Sequence, residues 1–321
     1  MKMRRAGVGV VAAVGVGLVA MAAAPAARAQ VKLEYKFPEG QTLTYKTTMK
    51  MNQILTLAGM EIPTEVEQTI VSSRVIGKRA GDSTLPVQEK VEAFRADMSL
   101  PGGMQITFDS KQPDAKIENE QLAFLADVFK LAGETSYTVV LDGQNKVKAI
   151  EGTEKLQEKA DKLNPLVRDS MRNRFSAEKL KAGFEESHGN LPDVLARPGE
   201  PWERTMTINS DQELILRKKY EYAGTEKRGD KTLDKITVKT LDIKMKSDPN
   251  SQAPSKVTKS DLKVDSSDGT ILFDREAGRV VESRDKLHVK GSLTVAAAGQ
   301  EYPGELDLTM DTTQELQPGA K

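Results

Sequence analysis

Two late stretches of this chain alternate strictly. Leu287, Val289, Leu293 and Val295 fall on odd positions of one run, and Leu306, Leu308, Met310 and Leu316 on even positions of the next. Successive side chains of a strand point to opposite faces, so each run presents one apolar face and one charged or Thr-rich face. Such a pattern builds antiparallel sheet packed on one side only. The expected fold class is α+β, mainly antiparallel β: curved amphipathic sheet covered by a few helices.

The same reading extends back along the chain. Leu33 to Phe37 alternates, Pro38-Glu39-Gly40 is a turn, and a Thr-, Tyr-, Met- and Leu-rich strand follows from Thr42 to Leu57. Gly59 and Pro63 bracket the next turn, Ala80-Gly81-Asp82 is a reversal, and Pro101-Gly102-Gly103 turns the chain again. Leu122, Leu125 and Phe129 share one helical face, with Gly133 where a C-terminal cap belongs. Tyr137–Leu141 and Lys146–Ile150 predict a hairpin around Asp142-Gly143.

Residues 152–190 change character. They are rich in Glu and Lys and spaced for helices, with Leu163, Val167 and Met171 in a stripe and Ser176 as an N-cap ahead of Leu180 and Phe184. Strand patterning resumes at Trp202. Leu214, Leu216, Tyr220 and Tyr222 alternate, and the parity of the following strand slips near Thr240, which predicts a bulge. Ser247 to Ser255 predicts a loop, and Asp265 to Gly269 a β-turn.

The first 29 residues have the make-up of a secretory leader: Lys2, Arg4 and Arg5, an apolar run from Ala6 to Ala24, then Ala27-Arg28-Ala29 before Gln30. Cleavage there predicts an exported protein, periplasmic or extracellular, with no membrane span left. The full chain has a formal net charge of zero, and the leader holds four basic residues (Lys2, Arg4, Arg5, Arg28) and no acid, so the chain from Gln30 carries −4. A mildly acidic protein lacks the electrostatic footprint of a nucleic-acid binder. There is no cysteine, which excludes disulfides, thiol catalysis, thiolate metal sites and a lipid anchor at the cleavage point.

Short motifs recur in order in the two β regions. Phe37-Pro38-Glu39-Gly40 resembles Arg197-Pro198-Gly199-Glu200, and Gly81-Asp82-Ser83-Thr84-Leu85 resembles Gly229-Asp230-Lys231-Thr232-Leu233. Leu141-Asp142 before Val147 resembles Phe273-Asp274 before Val280. The expectation is a duplicated β unit: leader 1–29, first β unit with one helix 30–151, helical connection 152–194, second β unit 195–321. The leader, the early FPEG before a Thr/Tyr/Met-rich strand, and the hairpin VLDGQNKVKAIEG at 140–152 together resemble a family of exported bacterial proteins known only as a domain of unknown function. That resemblance implies no activity, substrate or site residue. The strand pattern is also similar to the periplasmic lipoprotein-carrier architecture, a curved half-barrel closed by helices.

Catalytic signatures are sparse. His188 and His288 lie on different elements with no second histidine at ligand spacing, so no metal site and no cofactor is expected. No G-x-S-x-G elbow and no glycine-rich phosphate loop occurs. Asp265 resembles the start of a calcium loop, and Glu276 falls twelfth from it, but Ser267, Gly269 and Thr270 stand where two ligands and the turn glycine belong. The acid pairs Glu118/Glu120 and Glu185-Glu186 are read as solvated faces, and the few aromatics, with Trp202 the only tryptophan, argue against a sugar-stacking surface.

These exclusions leave a non-enzymatic binding or interaction module of the cell envelope. Its expected partner is a lipid or other apolar ligand, or an envelope protein. The ligand would lie between the sheet and the helices, lined by Leu125, Phe129, Met171 and Phe184 from helices and Tyr220, Tyr222, Leu293 and Leu308 from strands. Methionines such as Met49, Met51, Met98, Met104 and Met245 would make that surface adaptable. Two alternatives stay open: an envelope hydrolase using His188 or His288, and a structural protein assembling through its strand edges.

Overall fold

The computed structural model describes residues 30–112, 122–209, 212–247, 255–297 and 299–319. The leader, the loop at 248–254 and the Glu118/Glu120 pair lie outside the described residues. Among the described residues there are twelve strands and four helices. The chain runs β1 (Thr42–Leu57), β2 (Met60–Ile76), β3 (Leu85–Leu100), β4 (Met104–Asp109), α1 (Phe124–Gly133), β5 (Ser136–Leu141) and β6 (Val147–Glu151). Three helices follow, α2 (Glu154–Ala160), α3 (Pro165–Arg174) and α4 (Ala177–His188). The second meander is β7 (Trp202–Asn209), β8 (Gln212–Arg228), β9 (Lys231–Ser247), β10 (Ser255–Asp274), β11 (Arg279–Ala297) and β12 (Gln300–Leu316).

Both β regions belong to one curved antiparallel sheet. Its strand order is β6-β5-β3-β2-β1-β12-β11-β10-β9-β8-β7, with β4 pairing off β3. The join is the β1–β12 pair, where Tyr45 opposes Leu316 and Leu57 opposes Gly304. The first meander carries β4 and α1, elements that the second lacks among the described residues. Helix α4 packs against both β6 and β7, the two ends of the strand order. The sheet therefore curves far enough to bring both its edges to one helix, which also covers them.

Local sequence explains the helices. Asn164 Oδ1 accepts from Leu166 N at 3.0 Å and Pro165 occupies the first helical position of α3. Ser176 Oγ accepts from Lys179 N at 3.3 Å and caps α4 as expected. The hairpin at 142–145 is held by Asp142 Oδ1, which accepts from Gln144 N and Lys146 N. The slip near Thr240 is a bulge: Arg217 opposes Asp242 and Lys218 opposes Thr240, which turns Leu241 outward. The expected turn at Asp265–Gly269 is a correction. These residues lie inside the 20-residue strand β10, and Asp265 is the extra residue of a bulge between Val264 and Ser266. A bulge needs the same small polar residues as a turn, and the sequence alone does not separate the two.

The segment 31–37 crosses the covered face of the sheet. Val31 and Leu33 pack with Tyr220, Tyr222, Ile236 and Phe273 at one side, and Phe37 packs with the cluster of Leu43, Tyr45, Ile76 and Phe184 at the other. A third apolar cluster, Leu216, Ile243, Leu262, Leu287, Val289, Leu293, Leu306 and Leu308, is built by strands alone.

Candidate functional site: a two-chambered cavity beneath the helices

Between the helices and strands β2 and β3 lies a cavity of about 460 Å³. Its walls are Ile70, Val91, Phe94, Ala132, Phe175 and Leu180, and Lys90, Arg174, Lys179 and Glu186 supply its charged rim. Strand alternation explains the wall: Gln68, Ile70 and Ser72 share one face of β2, opposite Ala96, Phe94 and Val91 on β3. A second chamber of about 240 Å³ adjoins it, and Ser72, Glu89, Tyr137 and Gly183 line both. The second chamber is polar, lined by Tyr35, Tyr45, Arg74, His188, Asn190, Ser283 and Gln314.

The polar chamber is organised around Arg74. Its Nε donates to Glu89 Oε1 at 2.5 Å, and both side chains are less than one-fifth exposed. Burial pushes the Glu89 carboxyl up, and the Arg74 guanidinium opposes that shift. Arg74 Nη1 donates to His188 Nε2 at 2.8 Å. A guanidinium has no lone pair to offer, so His188 Nε2 is the acceptor and the ring proton sits on Nδ1. Nδ1 in turn donates to Phe184 O at 2.8 Å, with Ser187 Oγ 2.9 Å away. Burial, reinforced by the neighbouring Arg74 charge, drops the His188 pKa to about 3. The ring stacks on Phe184 at 4.2 Å and meets the edge of Tyr35 at 4.7 Å.

The tyrosines are held by the same logic. Tyr35 donates to Asn190 Oδ1 at 3.0 Å and Tyr45 to Val280 O at 3.1 Å. Burial raises the pKa of Tyr35, Tyr45 and Tyr137 above the usual phenol value, so all three stay neutral donors. The hydroxyls of Ser72, Tyr137 and Ser283 line the cavity with no hydrogen-bond partner among the described residues.

The eight residues expected to line a ligand site are spread through the molecule. Phe184 lines the polar chamber. Phe129 packs on Phe94 and Phe108 at ring distances of 5.8 and 5.6 Å, Met171 lies against the Leu131–Leu156–Phe175 cluster, and Leu125 is half-buried on α1. Tyr220 stacks on Trp202 at 5.8 Å, and Tyr222 donates to Asp234 Oδ1 at 3.0 Å. Leu293 and Leu308 belong to the strand-only cluster. Arg74, Glu89, Tyr137 and Ser283 were not singled out from the sequence. The available signal was a charged residue on the otherwise apolar parity of a strand, as at Glu89 between Val87 and Val91.

Neither histidine is poised as a base. Both ring nitrogens of His188 are engaged as described. On the opposite face from Leu287 and Val289, His288 Nδ1 meets Asp265 Oδ2 at 2.9 Å and Nε2 meets Asp307 Oδ1 at 2.8 Å. Among the described residues no group of three His, Cys, Asp or Glu side chains could hold a metal ion, and no helix is long and apolar enough to cross a membrane.

The chain belongs to DUF6263, a family of unknown function. The match covers residues 82–280, from the turn before β3 to the start of β11, and so includes Glu89, Tyr137 and the helices over the cavity. No curated protein matches it in sequence. Among solved structures it is similar to lipovitellin, described for its lipid–protein interactions, at 10% identity and a TM-score of 0.46. That match covers 89% of this chain and 26% of lipovitellin's. DynF, from the dynemicin biosynthesis pathway of Micromonospora chersina, matches at 10% identity over 91% of this chain and 88% of its own, with a TM-score of 0.19. An outer membrane channel of Pseudomonas putida F1 matches at 9% identity over 88% and 98% of the two chains, with a TM-score of 0.23. Scores this low carry no functional argument.

Proposed function

We propose that the protein is an exported, non-enzymatic binding protein of the cell envelope that holds an apolar or amphiphilic ligand in the cavity beneath α4. Export is read from the leader at residues 1–29. The observation that carries the binding reading is the 460 Å³ chamber between the helices and the sheet, walled by the apolar side chains of Ile70, Val91, Phe94, Phe175 and Leu180.

The test is native mass spectrometry of the processed protein taken gently from its own envelope fraction. An excess mass that is lost on denaturation and resolves to an apolar molecule supports the reading. Leu180→Trp, which sets an indole against the chamber wall and narrows it, should then reduce that excess while leaving the fold intact by circular dichroism. A native mass equal to the bare chain, with no uptake of added lipid, would overturn it.

A further inference from the structure

The two chambers differ in polarity, and the inner one is rich in hydrogen-bonding groups yet compensated in charge. The Arg74 guanidinium is matched in charge by Glu89, to which its Nε donates, and its Nη1 donates to the lone pair of His188. A second anion placed there would be buried without a free counter-charge, which costs far more than burying a hydrogen-bonded neutral group. Beside that compensated pair the chamber offers uncharged groups: the hydroxyls of Ser72 and Tyr137 at the neck and Ser283 further in, together with the carbonyl of the Gln314 amide, whose Nε2 donates to Thr47 Oγ1 at 3.4 Å. The outer chamber offers the apolar wall of Ile70, Val91, Phe94, Ala132, Phe175 and Leu180 to a chain, and its cations, Lys90, Arg174 and Lys179, stand at the rim.

We propose that the ligand is a single-chain amphiphile with an uncharged, hydrogen-bonding head such as a hydroxyl or amide, which enters head first. Its head bonds Tyr137, Ser72 and Ser283 in the inner chamber, and its chain fills the outer one against Val91, Phe94 and Leu180. This rests on the binding reading above and adds to it the head chemistry and the orientation. It also predicts what is refused: a fatty acid of equal chain length, as its carboxylate, has no place in the inner chamber.

The experiment is competition of myristyl alcohol and myristate against Nile red on the processed protein at neutral pH. The alcohol should displace the probe at least about tenfold more tightly than the carboxylate, because only the latter buries an uncompensated charge. Tyr137→Phe should weaken the alcohol several-fold and leave myristate unchanged. Glu89→Gln should reverse the preference, since it leaves the Arg74 charge unmatched. Myristate binding as tightly as the alcohol or more so, or Tyr137→Phe without effect on the alcohol, would overturn this proposal and set the head at the Lys90 rim while keeping the cavity reading. Failure of every probe, Nile red included, to bind would overturn both.

Discussion

At the scale of single residues, His188 shows how position sets chemistry. It ends α4, where a cationic histidine favours the helix dipole, but its ring faces the Arg74 guanidinium inside an aromatic cage. Burial and that charge prevail over the dipole, and the ring stays neutral down to about pH 3. The unfolded chain takes up this proton near the ordinary value of 6.5, so between about 6.5 and 3 the unfolded state holds more protons than the folded one. Stability therefore rises with pH through that window and is lost on acidification. His188→Gln keeps an acceptor for Arg74 and cannot titrate. Urea denaturation between pH 3 and 6.5 should show the slope of stability against pH reduced by one proton in that variant. An unchanged slope would show that the ring protonates freely in the folded state.

At the scale of elements, two ties join parts of the chain that do not pair in the sheet. Lys218 on β8 donates across β9 and β10 to Asp285 on β11, and the two side chains are 10% and 27% exposed. The path between them runs over Gly269, where a Cβ would sit 3.3 Å from Asp285 Oδ1 and 3.0 Å from Val238 Cβ. Removing one partner strands a buried charge, so Asp285→Ala should cost about 3–5 kcal/mol. Lys218→Met with Asp285→Leu should recover most of that loss, because well-packed apolar groups replace such pairs at little cost. A double-mutant cycle by thermal denaturation measures the coupling, and additive losses would refute it. The second tie fixes the crossing segment: Lys36 N donates to Gly278 O at 2.9 Å, and Gly278 has a φ of +63°. A Cβ there would lie 2.4–2.6 Å from Lys36, so Gly278→Val should destabilise by about 2 kcal/mol or more and loosen residues 31–37 to proteolysis.

At the scale of the whole molecule, the sheet is continuous from β6 to β7 and the β1–β12 pair sits at its middle. The first and last strands therefore have to meet before either half is complete. This predicts a single cooperative unfolding transition rather than two, seen as coincident loss of circular dichroism and Trp202 fluorescence. Hydrogen exchange should be slowest along β1, β11 and β12 and faster in α2 and α3. Two separate transitions would mean that the halves fold independently in spite of the shared sheet. Truncating the chain before β12 should expose β1 as an edge and leave an aggregating product rather than a stable first half.

The sequence by itself determined the local rules. Period-two alternation, the Gly, Pro and Asp turn residues, the Ser176 cap and the parity slip at Thr240 act within a few residues of the chain, so strands, hairpins, helices and the bulge are all legible there. The wrongly expected turn at Asp265–Gly269 marks the limit of that range, since turn and bulge share one local chemistry. Only the tertiary structure decided that both β regions make one sheet, and that α4 closes on both its edges. It also decided that Arg74, Glu89, Tyr137, His188 and Ser283, far apart in the chain, face one cavity. Strand order and curvature arise from pairing between distant segments. A charged residue on an apolar parity signals an interior polar group, and its partner is known only once the strands are laid side by side.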